Sequence, residues 1–176
     1  YQASHNPGLS IMTGAEVRQV LEDKGAFRTI VTNCKGEWTV FSRGLIMAVG
    51  GSVIDCGLRP EMGYGRIPRV VNALEIEARL KKAEDWEKEL GVLPRVAFIQ
   101  CFGSRDVKHG VPYCSRVCCY YTEKMASLLI ERVPGATVDV FYMDKQRINR
   151  LQTVNNNPHI NYIRSLPARA EVYAGP

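Results

Sequence analysis

Six cysteines stand in a chain of 176 residues, and four of them, Cys101, Cys114, Cys118 and Cys119, fall within nineteen positions. Thiolates ligate iron-sulfur clusters and zinc and attack disulfides, so spacing has to separate these uses. A redox dithiol of the usual kind needs Cys-x-x-Cys, and the chain has none. Neighbouring cysteines bridge only with a strained backbone, which speaks against a Cys118–Cys119 disulfide. Structural zinc sites are built from two short Cys pairs, whereas the pattern here is C-x12-C-x3-C-C. An iron-sulfur cubane takes four thiolates from more widely separated elements and is the favoured reading, with zinc and plain burial of small apolar thiols as the alternatives. Cys34 and Cys56 lie outside the spacing and are expected to be buried side chains. His109, alone in its loop, is expected to be solvated.

Four thiols so spaced have to be gathered by a fold. After Pro94 the sequence predicts a strand over 96–101, a helix near 115–133, a strand over 137–143, a helix near 145–154 and a strand over 160–164. That βαβαβ order implies parallel strands, and their short apolar runs imply a sheet covered on both faces. Cys101 then ends the first strand, the side on which open α/β sheets bind ligands. Cys114 is expected to open the helix, with Cys118 one turn later, so that all four thiols converge above the sheet edge. The helix N-terminus and Arg105, Lys108 and Arg116 would supply a positive field there. The loop 102–113 contains Gly103, Gly110 and Pro112 but few large apolar anchors, so its order is expected to depend on Cys101 and Cys114 sharing an ion. Glu123, Lys124 and Asp144 read as a solvated helix face and a strand-end turn, with no acid-base role.

The first third of the chain has a different rhythm. Short strands are predicted at 9–12, 17–21, 27–33, 38–41 and 45–49, punctuated by Lys24-Gly25, Lys35-Gly36 and Arg43-Gly44 as in an antiparallel meander. Gly50 and Gly51, after the last of them, let a ligand or another backbone come close. The stretch 55–68 is rich in glycine and proline and reads as an irregular connection at a domain boundary. Asn72 is placed to cap a helix over 73–90, with Leu74, Ile76, Leu80, Ala83, Trp86 and Leu90 on one face and Gly91 as its stop. The expected organisation is a β-meander segment over 1–54, a linker and helix over 55–94, and an α/β domain with the cysteines over 95–176.

Composition narrows the function classes. With 45% hydrophobic and 23% charged residues the chain matches ordinary globular proteins and excludes a disordered or collagen-like one. The net charge of +5 comes without a basic block or an aromatic-basic stripe, so nucleic acid is a poor partner. No apolar run approaches the roughly 18 residues of a membrane span, and the start has no signal-peptide pattern, so a soluble cytoplasmic protein is expected. The opening at Tyr1 reads as the middle of a longer chain.

Longer motifs point to a family. Ile99-Gln100-Cys101-Phe102-Gly103-Ser104-Arg105-Asp106, then Pro112-Tyr113-Cys114-Ser115-Arg116-Val117-Cys118-Cys119, then Phe141-Tyr142-Met143-Asp144, resemble the A subunit of heterodisulfide reductase and its relatives in the quinone-interacting membrane-bound oxidoreductase complex. Leu45 to Gly51 resembles the second flavin-site motif of the thioredoxin-reductase-like fold, and the similarity continues through 72–77. The resemblance implies an electron-transferring oxidoreductase that holds FAD and [4Fe-4S] clusters and works with partner subunits. It implies Cys101, Cys114, Cys118 and Cys119 as ligands of one cluster, and Ala48, Gly50 and Gly51 as part of an FAD site whose first Gly-x-Gly-x-x-Gly motif is absent here. It also implies a piece of the flavin domain followed by a Rossmann-like βαβαβ domain. Cys-Phe-Gly-Ser-Arg-Asp stands where a pyridine nucleotide would need glycines, so the cluster is expected to have replaced the nucleotide. The competing readings are a zinc-stabilised interaction domain and a remnant of a pyridine-nucleotide disulfide oxidoreductase.

Overall fold

β-formers separated by turn dipeptides build the first of two units. The computed structural model describes residues 7–82, 86–146 and 157–173, and the chain divides into Tyr1–Ser52 and Val53–Pro176. In the first unit β1 (Glu16–Asp23), β2 (Ala26–Asn33) and β3 (Gly36–Ser42) form an antiparallel sheet in that order. Lys24 and Gly25 both take positive φ, 51° and 78°, the two-residue turn whose twist matches the strands it joins. In the next turn the Lys35 N–H donates to Asn33 Oδ1 at 2.7 Å. Val31 on the central strand is buried between its exposed cross-strand neighbours Val17 and Trp38.

Two expected strands do not form. Leu9, Ile11 and Met12 are exposed and irregular, as are Ile46, Met47 and Val49. A largely apolar run becomes a strand only where a neighbour bonds its backbone and layers cover its apolar faces. Among the described residues of this unit neither is supplied to these two runs.

The second unit is built on three parallel strands, β4 (Arg95–Ile99), β5 (Thr137–Phe141) and β6 (Ile160–Ile163), in spatial order β4-β5-β6. The protein is thus mixed α/β, with the antiparallel and parallel sheets that the sequence implies. Central β5 is the most buried strand, with Val138, Asp139 and Val140 buried and Thr137 and Phe141 half-buried, while β4 and β6 are partly exposed. Helix α3 (Cys118–Arg132) connects β4 to β5 and puts Met125, Ala126 and Leu129 into the core beside Val138, Val140 and Ile160.

The same core takes Ile76 and Leu80 of α1 (Ala73–Lys81) and Trp86 of α2 (Trp86–Leu90), so the segment read as linker and helix packs on the parallel-sheet unit. The single helix expected over 73–90 is not continuous. Lys82 turns extended at ψ 138°, residues 83–85, with Ala83, lie outside the described residues, and Leu74 is exposed. Gly91, at φ 84°, follows α2 as expected. Most of the helix expected near 145–154 lies outside the described residues, and Lys145 and Gln146 are not helical.

Asn72 caps α1 by a reciprocal pair: the Glu75 N–H donates to Asn72 Oδ1 at 3.0 Å, and the Asn72 N–H to Glu75 Oε2 at 2.9 Å. Asn72→Ala is expected to cost about 1 kcal/mol, read as a lower urea midpoint with an unchanged m-value.

Asp139 sits in the sheet at 5% exposure, accepting from Arg95 Nε at 2.5 Å and Asn161 Nδ2 at 3.1 Å. The Arg95 guanidinium, with help from Asn161, holds the Asp139 carboxyl below the usual carboxylate range. A carboxylate depressed in the folded state contributes stability that is fully present above its unfolded value, about pH 3.9, and is lost as pH falls through the folded value. Urea midpoints should therefore drop below about pH 4, and Asp139→Asn should remove part of that slope.

Candidate metal centre

The cysteine region begins where β4 ends. Gln100 carries the parallel ladder one step further, its N–H donating to the Phe141 carbonyl at 3.0 Å, and Cys101 then turns left-handed at φ 59°. Gly103, Arg105 and Arg116 also take positive φ, 64°, 61° and 60°. Three non-glycine residues in this region cost about 1 kcal/mol or more each, so the surroundings must hold them.

Hydrogen bonds inside the loop do so. The Val111 N–H donates to the Gly103 carbonyl at 2.9 Å, that of Asp106 to Val111 at 3.0 Å and that of Arg105 to Tyr113 at 3.1 Å. The Ser104 hydroxyl donates to the Tyr113 carbonyl at 2.9 Å and accepts the Ser115 N–H at 2.9 Å. Asp106 Oδ1 takes the N–H groups of Lys108 and His109, each at 3.0 Å. Gly110 lies so close to Gly103 that a Cβ there would overlap the Gly103 carbonyl. The loop thus has a hydrogen-bonded frame of its own beside any ion that Cys101 and Cys114 would share. His109, expected to be merely solvated, also has Nδ1 3.4 Å from Asp106 Oδ2.

The helix starts later than expected. α3 begins at Cys118, and Cys114 lies in the irregular segment before it. The Ser104 bonds pin 113–115 to the loop, and the left-handed Arg116 breaks any helical path between Cys114 and Cys118. Cys114 is instead oriented by the Arg116 N–H, which donates to its Sγ at 3.3 Å.

Cys101 and Cys119 are buried, and Cys114 and Cys118 are half-buried. Burial, reinforced by Cys118, pushes the Cys101 thiol up to about 11; Arg105 opposes this, and Cys119 and Cys114 add to it. Burial likewise raises Cys119, against the Gln146 backbone N–H. Cys101 thus feels Cys118, Cys119 and Cys114, and Cys119 feels Cys118 and Cys114, although among the described residues no three thiols, imidazoles or carboxylates are grouped to hold a single metal ion. Of the three basic residues expected to contribute, Arg105 bears on Cys101, and its guanidinium is fixed by Asp144 at 2.7 Å. Asp144 also accepts from Gln146 Nε2 at 3.0 Å, and Glu123 pairs with Lys145 at 3.9 Å, so neither acid is simply solvated.

The burial expected for Cys34 and Cys56 is not found. Cys34 is exposed in the turn between β2 and β3, and Cys56 is half-buried in a single 3-10 turn, Cys56–Leu58. Ala48, Gly50 and Gly51 are exposed in the irregular end of the first unit, and a side chain at either glycine would meet no neighbouring atom. Sequence reasoning alone misses Gln100, which is 4% exposed with its Oε1 3.5 Å from Cys119 Sγ. A polar residue ending the apolar run Val96-Ala97-Phe98-Ile99 is the signal that could have found it.

Cys101 follows the end of a parallel strand and Cys118 and Cys119 open the helix after it, on the side where open α/β sheets bind ligands. The chain is similar over most of its length to one segment of the A subunit of heterodisulfide reductase. It is 36% identical over 136 residues to the second iron-sulfur A subunit of the CoB–CoM heterodisulfide reductase of Methanopyrus kandleri, covering 70% of this chain and 21% of that protein. The A subunit of the ferredoxin/F(420)H(2)-dependent CoB–CoM heterodisulfide reductase of Methanosarcina acetivorans is 33% identical over 152 residues, 80% of this chain and 19% of the relative. The A subunit of the H(2):CoB–CoM heterodisulfide,ferredoxin reductase of Methanothermobacter marburgensis is 41% identical over 110 residues, 57% of this chain and 16% of the relative. The chain thus spans about a fifth or less of the length of these curated relatives. No family model matches it. No helix among the described residues is long and apolar enough to cross a membrane.

Proposed function

We propose that this chain is the cluster-bearing segment of an FAD- and iron-sulfur-dependent oxidoreductase and that its role is electron relay. Cys101, Cys114, Cys118 and Cys119 would hold a [4Fe-4S] cluster, which supplies reversible one-electron chemistry when bound. The placement of Cys101 just past the end of β4, of Cys114 in the segment before α3, and of Cys118 and Cys119 on the first turn of that helix is the observation that carries this reading. Their donor chemistry fits: four cysteine sulfurs are the ligand set of a cubane, and a fixed guanidinium at Arg105 and a backbone N–H on Cys114 lower the cost of its negative charge. A single zinc draws its sulfurs within about 2.3 Å of one point, a tighter grouping than a cluster requires. The chain's own part is to position the group, hold water away at Cys101 and Cys119, and set the surrounding charge.

Ala48, Gly50 and Gly51 would contribute one edge of an FAD site completed by further chain, and the partners would be other subunits of a heterodisulfide-reductase-like or quinone-interacting complex in the cytoplasm. Anaerobic reconstitution with iron and sulfide, followed by electron paramagnetic resonance of the reduced sample, tests the cluster. A spin-active cluster with about four irons per chain is expected, whereas a chain that takes up only zinc and stays colourless would overturn the reading.

A further inference from the structure

We propose that Gln100 sets the electron affinity of the cluster by presenting its side-chain N–H to the Cys119 sulfur, an inference that rests on the cluster assignment above. The Cys119 thiol now faces two acceptors, Gln100 Oε1 at 3.5 Å and the Asp144 carbonyl at 3.9 Å. A sulfur that ligates iron carries no proton, so both oxygens would then face negative charge, and the donor already at that sulfur, the Gln146 N–H, belongs to the main chain. The Asp144 carbonyl is part of the main chain. The Gln100 side chain has oxygen and nitrogen on the same carbon, and a half-turn about its last bond exchanges them. At 4% exposure it has almost no water to bond instead.

An N–H donated to a ligating sulfur stabilises the added charge of the reduced cluster more than the oxidised one, and hydrogen bonds to sulfur are a recognised control on potential. The N–H of Arg116 that meets the Cys114 sulfur comes from the backbone. Gln100 is the donor whose identity a side-chain change would alter.

The test uses the anaerobically reconstituted chain, titrated with dithionite as the one-electron donor and followed by electron paramagnetic resonance. Gln100→Met keeps the length and removes both amide groups. Iron and sulfide per chain should match wild type, while the reduced-to-oxidised ratio at a fixed poise falls about tenfold, equivalent to about 59 mV for one electron. Wild type grown with glutamine labelled with 15N at the side-chain amide should show nitrogen coupled to the reduced cluster by electron-nuclear double resonance, and Gln100→Met should lose it. Full iron with an unchanged ratio in Gln100→Met would overturn the inference and leave the cluster standing. Should that variant fail to take up iron, the wild-type coupling decides: its absence refutes the role of Gln100. A wild-type chain that forms no cluster would instead refute the reading on which the inference rests.

Discussion

Replacing any one of Cys101, Cys114, Cys118 or Cys119 by serine is expected to lower iron bound after reconstitution by at least about tenfold, whereas Cys34→Ser and Cys56→Ser should leave it unchanged. The contrast follows from placement. The first four thiols lie between the end of β4 and the first turn of α3, while Cys34 lies in a turn of the other unit and Cys56 in a 3-10 turn whose thiol is raised by burial and by Asp55 and Glu75. Cys119 should be the most sensitive of the four, since it is buried on the first turn of α3. Equal iron in Cys118→Ser and wild type would sink the ligand assignment, and loss of iron in Cys56→Ser would extend the set to a fifth thiol.

Gly110→Ala is expected to dismantle the loop before any metal is considered. The new methyl would overlap the Gly103 carbonyl, a backbone group that itself accepts the Val111 N–H, so relief requires breaking that bond. Forced overpacking of this kind costs about 1–3 kcal/mol, and amide exchange at Asp106 and Val111 should quicken by roughly a hundredfold. The iron-free wild-type chain should already show slow exchange at Arg105, Asp106 and Val111, because those N–H groups are bonded within the loop. Fast exchange there, slowed only by reconstitution, would mean that the shared ion orders the loop after all.

What can be read from the sequence is local. Turn dipeptides at Lys24-Gly25 and Lys35-Gly36 mark the meander, Asn72 and Gly91 mark helix ends, and the short apolar runs mark the parallel strands. The misreadings are failures to see a partner. Leu45–Val49 has the composition of a buried strand, but composition does not say whether a neighbour is present. Cys114 and Cys118 have the spacing of one helical turn, yet Ser104, ten residues before Cys114, decides that the turn does not form. The separation of the four thiols from Cys34 and Cys56 is legible from spacing, and the assignment of Cys34 and Cys56 to the core fails because a lone cysteine carries no periodic signal.

Val31 carries a thermodynamic consequence. It is the one apolar side chain of the antiparallel unit that is buried among the described residues, and it is flanked by Val17 and Trp38, which remain exposed. Three strands with so little shielded apolar surface have a small free energy of folding of their own. Whatever covers that face in a larger assembly adds stability by mass action, growing with the logarithm of its concentration over its dissociation constant. The melting temperature of this sheet is therefore a property of the mixture in which it is measured.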